Sequence, residues 1–179
     1  MGRIARKRVA DYFERGDLAP TMAERGKALE DLICYVFEKI PGITVSMRNA
    51  LNAFDTEEVD VAFWNDVHPD GLPFLPRLIL VECKNWSQAL GTQEVTYFVD
   101  KLRSRGLTFG ILVAANGITG NPVHRTDAHS AVAGALREQR QLVILTRAEV
   151  QQWATHGEIV QLLKEKLCQL AVAGTIFET

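Results

Sequence analysis

Residues 78–86 read Leu-Ile-Leu-Val-Glu-Cys-Lys-Asn-Trp, and this stretch decides how the rest of the chain is placed. Four apolar residues lead into two charged ones, Glu82 and Lys84. Side chains alternate along a β-strand, so Leu78, Leu80, Glu82 and Lys84 share one face, and Ile79, Val81 and Cys83 the other. An apolar strand thus carries a carboxylate and an ammonium group to its C-terminal end, where a site can open to solvent. Taken alone, the pair is also what a salt bridge on an edge strand looks like, because such three-residue matches are common by chance.

Working outward, residues 58–64 alternate as a second strand. Val59, Val61 and Phe63 fall on one face, and Glu58, Asp60, Ala62 and Trp64 on the other. Residues 66–76 hold three prolines and an Asp70-Gly71 turn, so they form a loop. With a further strand at 43–47, the three strands make an antiparallel meander. Asp60 therefore lies on the strand that pairs with Glu82. An Asp among β-branched residues is disfavoured and, if buried, costs several kcal/mol unless paired or bound to a cation. Two carboxylates on neighbouring strands repel, and a hard divalent cation such as Mg²⁺ relieves that repulsion with oxygen ligands. Lys84 satisfies the same charge with no metal, and on the residues alone both readings stand.

Thr21 and Glu24 form a capping box, and Leu29, Leu32, Ile33, Val36, Phe37 and Ile40 then recur at helical spacing until Pro41-Gly42. Glu30 sits at the margin of that apolar stripe. Residues 1–16 read as a short basic amphipathic helix ending at Gly16, either an arm or a packed helix. Beyond the opening stretch, Val95, Phe98, Val99 and Leu102 predict a helix over 92–105 closed by Gly106, followed by a buried strand at 107–114. Strand, helix, strand implies a right-handed parallel crossover. A helix over 126–139 and a strand at 141–145 come next. Two more capping boxes, Thr146 with Glu149 and Thr155 with Glu158, each open a short C-terminal helix.

The order of Glu30 on a helix, Asp60 on the second strand and Glu82-Cys83-Lys84 on the third resembles the PD-(D/E)xK nuclease superfamily. More narrowly, Val81 to Ser87 with Gly91, Glu94, Val95, Phe98 and Leu102, then Gly110 to Val113 with Gly117 and Gly120, looks like the Mrr-like restriction endonuclease domain. Gly26 and Glu30 match that family's first helix, and Val59 stands where the superfamily name has Pro. The resemblance spans roughly residues 20–155. It implies an α/β fold, a restriction-endonuclease-like core with a mixed central β-sheet flanked by helices. The order is helix, three-strand meander, helix, strand, with extra C-terminal helices. The chain then divides into a basic helix or arm at 1–19, a nuclease-like domain at 20–155 and a C-terminal helix at 156–179 packed on it.

The same resemblance implies a metal-dependent phosphodiesterase. Asp60, Glu82 and the backbone carbonyl of Cys83 would hold Mg²⁺, with Mn²⁺ as substitute. The metal would activate a water and neutralise charge on the scissile phosphate. Lys84 would orient that water. An ordinary lysine pKa of about 10.4 makes electrostatic stabilisation the safer role for it than proton abstraction, unless burial lowers it. Glu30 would position Lys84 or help hold a second ion. The expected substrate is DNA, above all duplex DNA, with branched DNA as a variant, in restriction or another defence against foreign DNA. A homodimer is expected so that both strands are cut, together with a targeting or regulatory protein. The rival reading is a nuclease-fold module that binds DNA or protein without cleavage, keeping the charged trio as a salt-bridge network. An RNA-cleaving toxin is a third.

Composition narrows the class. The chain has 179 residues, 20 Lys+Arg against 22 Asp+Glu, a formal net charge of -2 and 47% hydrophobic residues. This is a one-domain globular balance. The mild acidity argues against a coating nucleic-acid binder, yet it is uneven. Residues 41–76 hold Asp55, Glu57, Glu58, Asp60, Asp66 and Asp70 against Arg48, leaving 19 basic and 16 acidic residues elsewhere. The longest apolar run, 109–115, is far short of the ~20 residues of a membrane span. Cys34, Cys83 and Cys168 are odd in number and have no CxxC spacing, so a reducing cytoplasm is the expected location. His124, Asp127 and His129 lack metal-ligand spacing and read as a capping Asp with exposed histidines. His68 and His156 read as loop residues, and the segment from Gly117 to Gly120 as a turn whose backbone N–H groups could contact DNA. Trp86 reads as a lid on the core more readily than as a base-stacking platform. Arg103, Arg105, Arg125, Arg137 and Arg140 read as solvated helix faces or phosphate contacts.

Overall fold

The structure is a computed structural model and describes residues 2–51 and 58–176; Asp55 and Glu57 of the acidic segment lie outside the described residues. Among the described residues, six helices and five strands follow in the order α1 (Arg6–Asp17), α2 (Met22–Phe37), β1 (Ile43–Leu51), β2 (Glu58–Asn65), β3 (Leu78–Lys84), α3 (Thr92–Ser104), β4 (Phe109–Ala114), α4 (Asp127–Arg137), β5 (Gln141–Leu145), α5 (Arg147–Gln152) and α6 (His156–Ala173). The strands make one sheet in the order β1-β2-β3-β4-β5. β1, β2 and β3 are mutually antiparallel, whereas β3, β4 and β5 are parallel. This is the mixed sheet with flanking helices that the charged strand end and its crossover predict.

Each face of the sheet carries its own core. One cluster joins Val61, Phe63, Ile79, Val81 and Ile111 to α1, α2, α5 and the first half of α6. The other joins Ala62, Leu80, Leu112 and Ile144 to α3, α4 and the end of α6. β3 and β4 are covered on both faces, so they read as continuous apolar runs. Gly110 lets α3 approach β4 closely: a Cβ there would lie 2.8 Å from Leu102 and 2.9 Å from the Phe98 ring. That approach brings the exposed margin of α3 toward the end of β3.

The elements differ from the sequence expectation chiefly in three places. β1 runs on to Leu51, with a register irregularity between Val45 and Met47, because it pairs with β2 along its whole length. Val59 packs with Ala62 and Leu80 instead of with Val61 and Phe63. The β2–β3 ladder ends at the Val61–Val81 pair, and beyond it strict alternation lapses. α6 is not short: it spans 18 residues, because Ile159, Leu163 and Leu170 reach both cores. Of the two readings of the basic N-terminal segment, arm or packed helix, the structure has the packed helix, burying Val9, Phe13 and Gly16.

Polar residues organise the connections. Asn65 is fully buried; its amide donates to the carbonyls of Leu72, Leu75 and Pro76, and its Oδ1 accepts from the Val67 N–H. One side chain thus holds the proline-rich loop that returns the chain from β2 to β3. His124 is exposed as expected, whereas His129 and His156 are not solvent groups. His129 is buried with Nδ1 3.3 Å from the Thr175 hydroxyl, and burial lowers its pKa. His156 is buried at the start of α6, where Nδ1 accepts from the Gly2 N–H. Asp127 sits inside the first turn of α4, whose N-cap is Thr126, so it is not the cap.

Candidate active site

The ends of β2 and β3 bring Asp60, Glu82 and Lys84 together. One step past the Val61–Val81 pair, the Asp60 side chain leaves the regular ladder and accepts a 2.7 Å hydrogen bond from the Cys83 N–H. Burial pushes the Asp60 carboxyl up to about 6, and the neighbouring Glu82 adds to the effect against the opposing influence of the Cys83 N–H and Lys84. Glu82 is 4% exposed. The Lys84 Nζ lies 2.8 Å from its Oε1. Burial alone would lower the Lys84 pKa, but Glu82 and Asp60 outweigh it and the net shift is upward. The side chain is therefore a held ammonium group, suited to electrostatic stabilisation and unsuited to removing a proton.

Lys101 is the member of the cluster that sequence reasoning missed. It projects from α3 and donates to both oxygens of Glu82, at 2.9 and 2.8 Å, and to the Glu58 backbone carbonyl at 2.7 Å. Glu82 is thus clasped by two ammonium groups from different elements. A signal was present: Glu94, Tyr97 and Lys101 recur at helical spacing along the margin of the apolar stripe. What Lys101 faces depends on the crossover that docks α3 against β3.

Glu30 is buried on α2, and Arg48 from β1 lies 3.4 Å from it and 2.6 Å from Asp31. Burial raises the Glu30 pKa, with Arg48 opposing. Among the described residues, its ion pair is with Arg48, and it shares a cleft of about 380 Å³ with Asp60, Cys83 and Lys84. Trp86 belongs to neither core cluster, so it is no lid on the core. It stands 37% exposed between that cleft and a second one of about 620 Å³ against α3. Four of the five arginines hold intramolecular partners: Arg103 and Arg140 pair with Glu138, Arg125 donates to the Ala173 carbonyl, and Arg105 donates to the Lys101 carbonyl.

The donor set fits a hard divalent cation in kind. Asp60 and Glu82 offer oxygen ligands only, and burial together with the neighbouring Glu82 raises the Asp60 pKa, a penalty on its charge that a cation would relieve. No three His, Cys, Asp or Glu side chains form a metal-binding group among the described residues, so a backbone carbonyl and solvent would complete the shell. Lys101 then keeps Glu82 oriented. Lys101→Met is expected to weaken Mg²⁺ binding to these carboxylates about 10- to 100-fold, the range of residues that support metal ligands, with Lys101→Arg recovering part of it. Calorimetric titration of Mg²⁺ into wild type and both variants checks this.

No helix among the described residues is long and apolar enough to cross a membrane. No curated protein matches the chain. A family model described as restriction endonuclease, Mrr_cat, matches residues 22–154. That span runs from α2 through α5 and contains Glu30, Asp60, Glu82, Lys84 and Lys101. Well over half of the sequence is matched, and the chain belongs to the Mrr_cat family of restriction endonucleases, a nuclease family of PD-(D/E)xK type.

Proposed function

We propose that this chain is a Mg²⁺-dependent DNA endonuclease that hydrolyses phosphodiester bonds in duplex DNA, in restriction or another defence against foreign DNA. The observation that carries the reading is the meeting of Asp60, Glu82 and Lys84 at one sheet end, within the span matched by the family. Asp60, Glu82 and the Cys83 carbonyl hold the cation. When bound, it supplies an activated water and neutralises charge on the scissile phosphate. Lys84 keeps its proton and turns its ammonium group toward the phosphate, stabilising the charge that develops in displacement. Lys101 and the Cys83 N–H fix the two carboxylates, so the site is ordered before substrate arrives. Arg48 holds Glu30 at the edge of the same cleft, where Glu30 helps position Lys84 or a second ion. Two copies cutting opposite strands would make a double-strand break, and a targeting or regulatory protein would direct them.

Incubation of supercoiled plasmid with the protein and Mg²⁺ or Mn²⁺ tests this, beside Asp60→Ala and Lys84→Ala. Nicked and linear DNA from wild type alone is the expected result. Wild type as inert as both variants would refute it.

The saturation of Glu82 by two lysines favours a second reading, a nuclease-fold module that binds DNA without cutting, with the trio as a salt-bridge network. A DNA gel shift by wild type without cleavage in either metal selects that one.

A further inference from the structure

A cleft of about 620 Å³ opens between the end of β3 and α3, within the size range of small-ligand pockets. It shares Glu82 and Lys84 with the candidate active site. Two aromatic rings stand at it with much of their surface in solvent, Trp86 at 37% and Tyr97 at 58% exposure, and Phe98 lines its buried side. Aromatic surface left open together beside a charged centre marks a place where a ligand or partner sits.

The lining says what kind of group that is. Among the described residues the cleft also presents Glu58, Glu94 and Asp100. Its two ammonium groups, from Lys84 and Lys101, are both engaged with Glu82. Away from Lys84 at its edge, such a lining repels a phosphate. It suits a flat, uncharged ring with amino groups that carboxylates and carbonyls can accept from, which describes a nucleobase. Every base has a π-face that stacks on aromatic side chains. The backbone behind Trp86 is held in place: its carbonyl accepts from the Asn116 amide at 2.5 Å, and Leu90 bonds in both directions to the loop after β4. The Tyr97 hydroxyl accepts from Gln93 at 2.7 Å.

We propose that this cleft is a nucleobase pocket, taking one unpaired base of the strand being cut while the adjacent phosphate lies at Lys84. The inference rests on the nuclease reading and deepens it: the substrate is DNA with a base out of its stack next to the scissile bond. A mismatch, a bulge or a single strand meets this condition at lower cost than a perfect duplex.

The test is binding of the full chain, in EDTA at low salt so that nothing is cut. The probes are a perfect duplex and the same duplex carrying one unpaired 2-aminopurine, whose fluorescence falls when it stacks. Wild type and Trp86→Phe are expected to quench the probe. Trp86→Ala and Tyr97→Ala should each bind the unpaired-base duplex about 5- to 100-fold more weakly, the range for loss of one base–aromatic stack. The perfect duplex should change by less than about twofold. Both positions are exposed, and unchanged melting temperatures will show that folding is retained.

No quenching by wild type overturns the pocket, as does an equal loss for both probes or no loss for either. A concentration-dependent dimer that Trp86→Ala abolishes, with DNA binding intact, overturns it in favour of a protein interface. Plasmid cutting with no preference for an unpaired base sinks the pocket and leaves the nuclease reading standing. Selective quenching by a chain that cuts nothing does the reverse.

Discussion

Asp60→Asn is expected to lower DNA cleavage by about 10²–10³-fold, the scale of removing one group that stabilises charge at a reacting centre, and at the same time to stabilise the fold at neutral pH. Asn still accepts the Cys83 N–H, so the geometry at the strand end survives. The charge that repels Glu82 is removed. In wild type the carboxyl is raised from 3.8 to about 6, with burial the largest cause and Glu82 next. A raised carboxyl pKa means that folding favours the protonated form. The contribution of Asp60 to stability is therefore fully present below about pH 3.8 and is lost as pH rises through about 6. At about pH 7 the variant is expected to exceed wild type by on the order of 1–3 kcal/mol, since one pKa unit corresponds to about 1.4 kcal/mol. The gap should close toward about pH 4. Urea melts in EDTA across that range measure it, and a difference that does not vary with pH would refute the account. Added Mg²⁺ should raise the melting temperature of wild type and leave that of the variant where it was. Stability given up for a charged site is a recurrent feature of enzymes.

Lys166→Ala should destabilise the protein by about 3–5 kcal/mol, because it leaves a carboxylate buried without its partner. Lys166 on α6 lies 2.6 Å from Glu149 on α5, and both side chains are 2% exposed. Glu149 also accepts from the Thr146 N–H in its capping box at 2.8 Å. Lys166→Met combined with Glu149→Gln removes both charges and keeps the capping acceptor, so it should recover most of the loss. Chemical denaturation at about pH 7 decides the matter: a double variant as unstable as the single one would mean that packing, and no stranded charge, sets the cost. Because α6 contributes to both cores, the variant should also unfold at a lower denaturant midpoint without a change in slope.

The fold was legible in the sequence because its signals are local. Capping boxes at Thr21, Thr146 and Thr155 open helices in the structure, and the alternation around Val61 and Phe63 makes a strand. β5 begins and ends where the apolar run over 141–145 places it. The misplaced boundaries share a cause. β1 is lengthened by pairing with β2, a non-local bond that the residues after Met47 do not announce. α6 reads as short because Lys166 interrupts its apolar pattern, and pairing with the Glu149 carboxylate lets that lysine sit in the core. His129 looked exposed because a polar ring next to a helix start usually is. Thr175, 46 residues later, supplies its buried partner.

Three of the candidate site residues could be placed from alternation and strand order: Asp60 on one strand, Glu82 and Lys84 on its neighbour. That follows from the strict period of a β-strand and from a proline-rich loop too short for anything but an antiparallel return. The sequence by itself determined the mixed sheet, the crossover and which carboxylates share an edge. Tertiary structure alone decided the electrostatics of that edge. Lys101 arrives over the crossover to clasp Glu82, Arg48 arrives across β1 to hold Glu30, and Cys83 offers its N–H to Asp60 where the ladder stops. It also decided that Trp86 and Tyr97, eleven residues apart, line one cleft beside Lys84. The physical reason is range. Periodicity and capping act between near neighbours in the chain, whereas burial and Coulomb interactions depend on distance in space, and that is known only once the helices have docked.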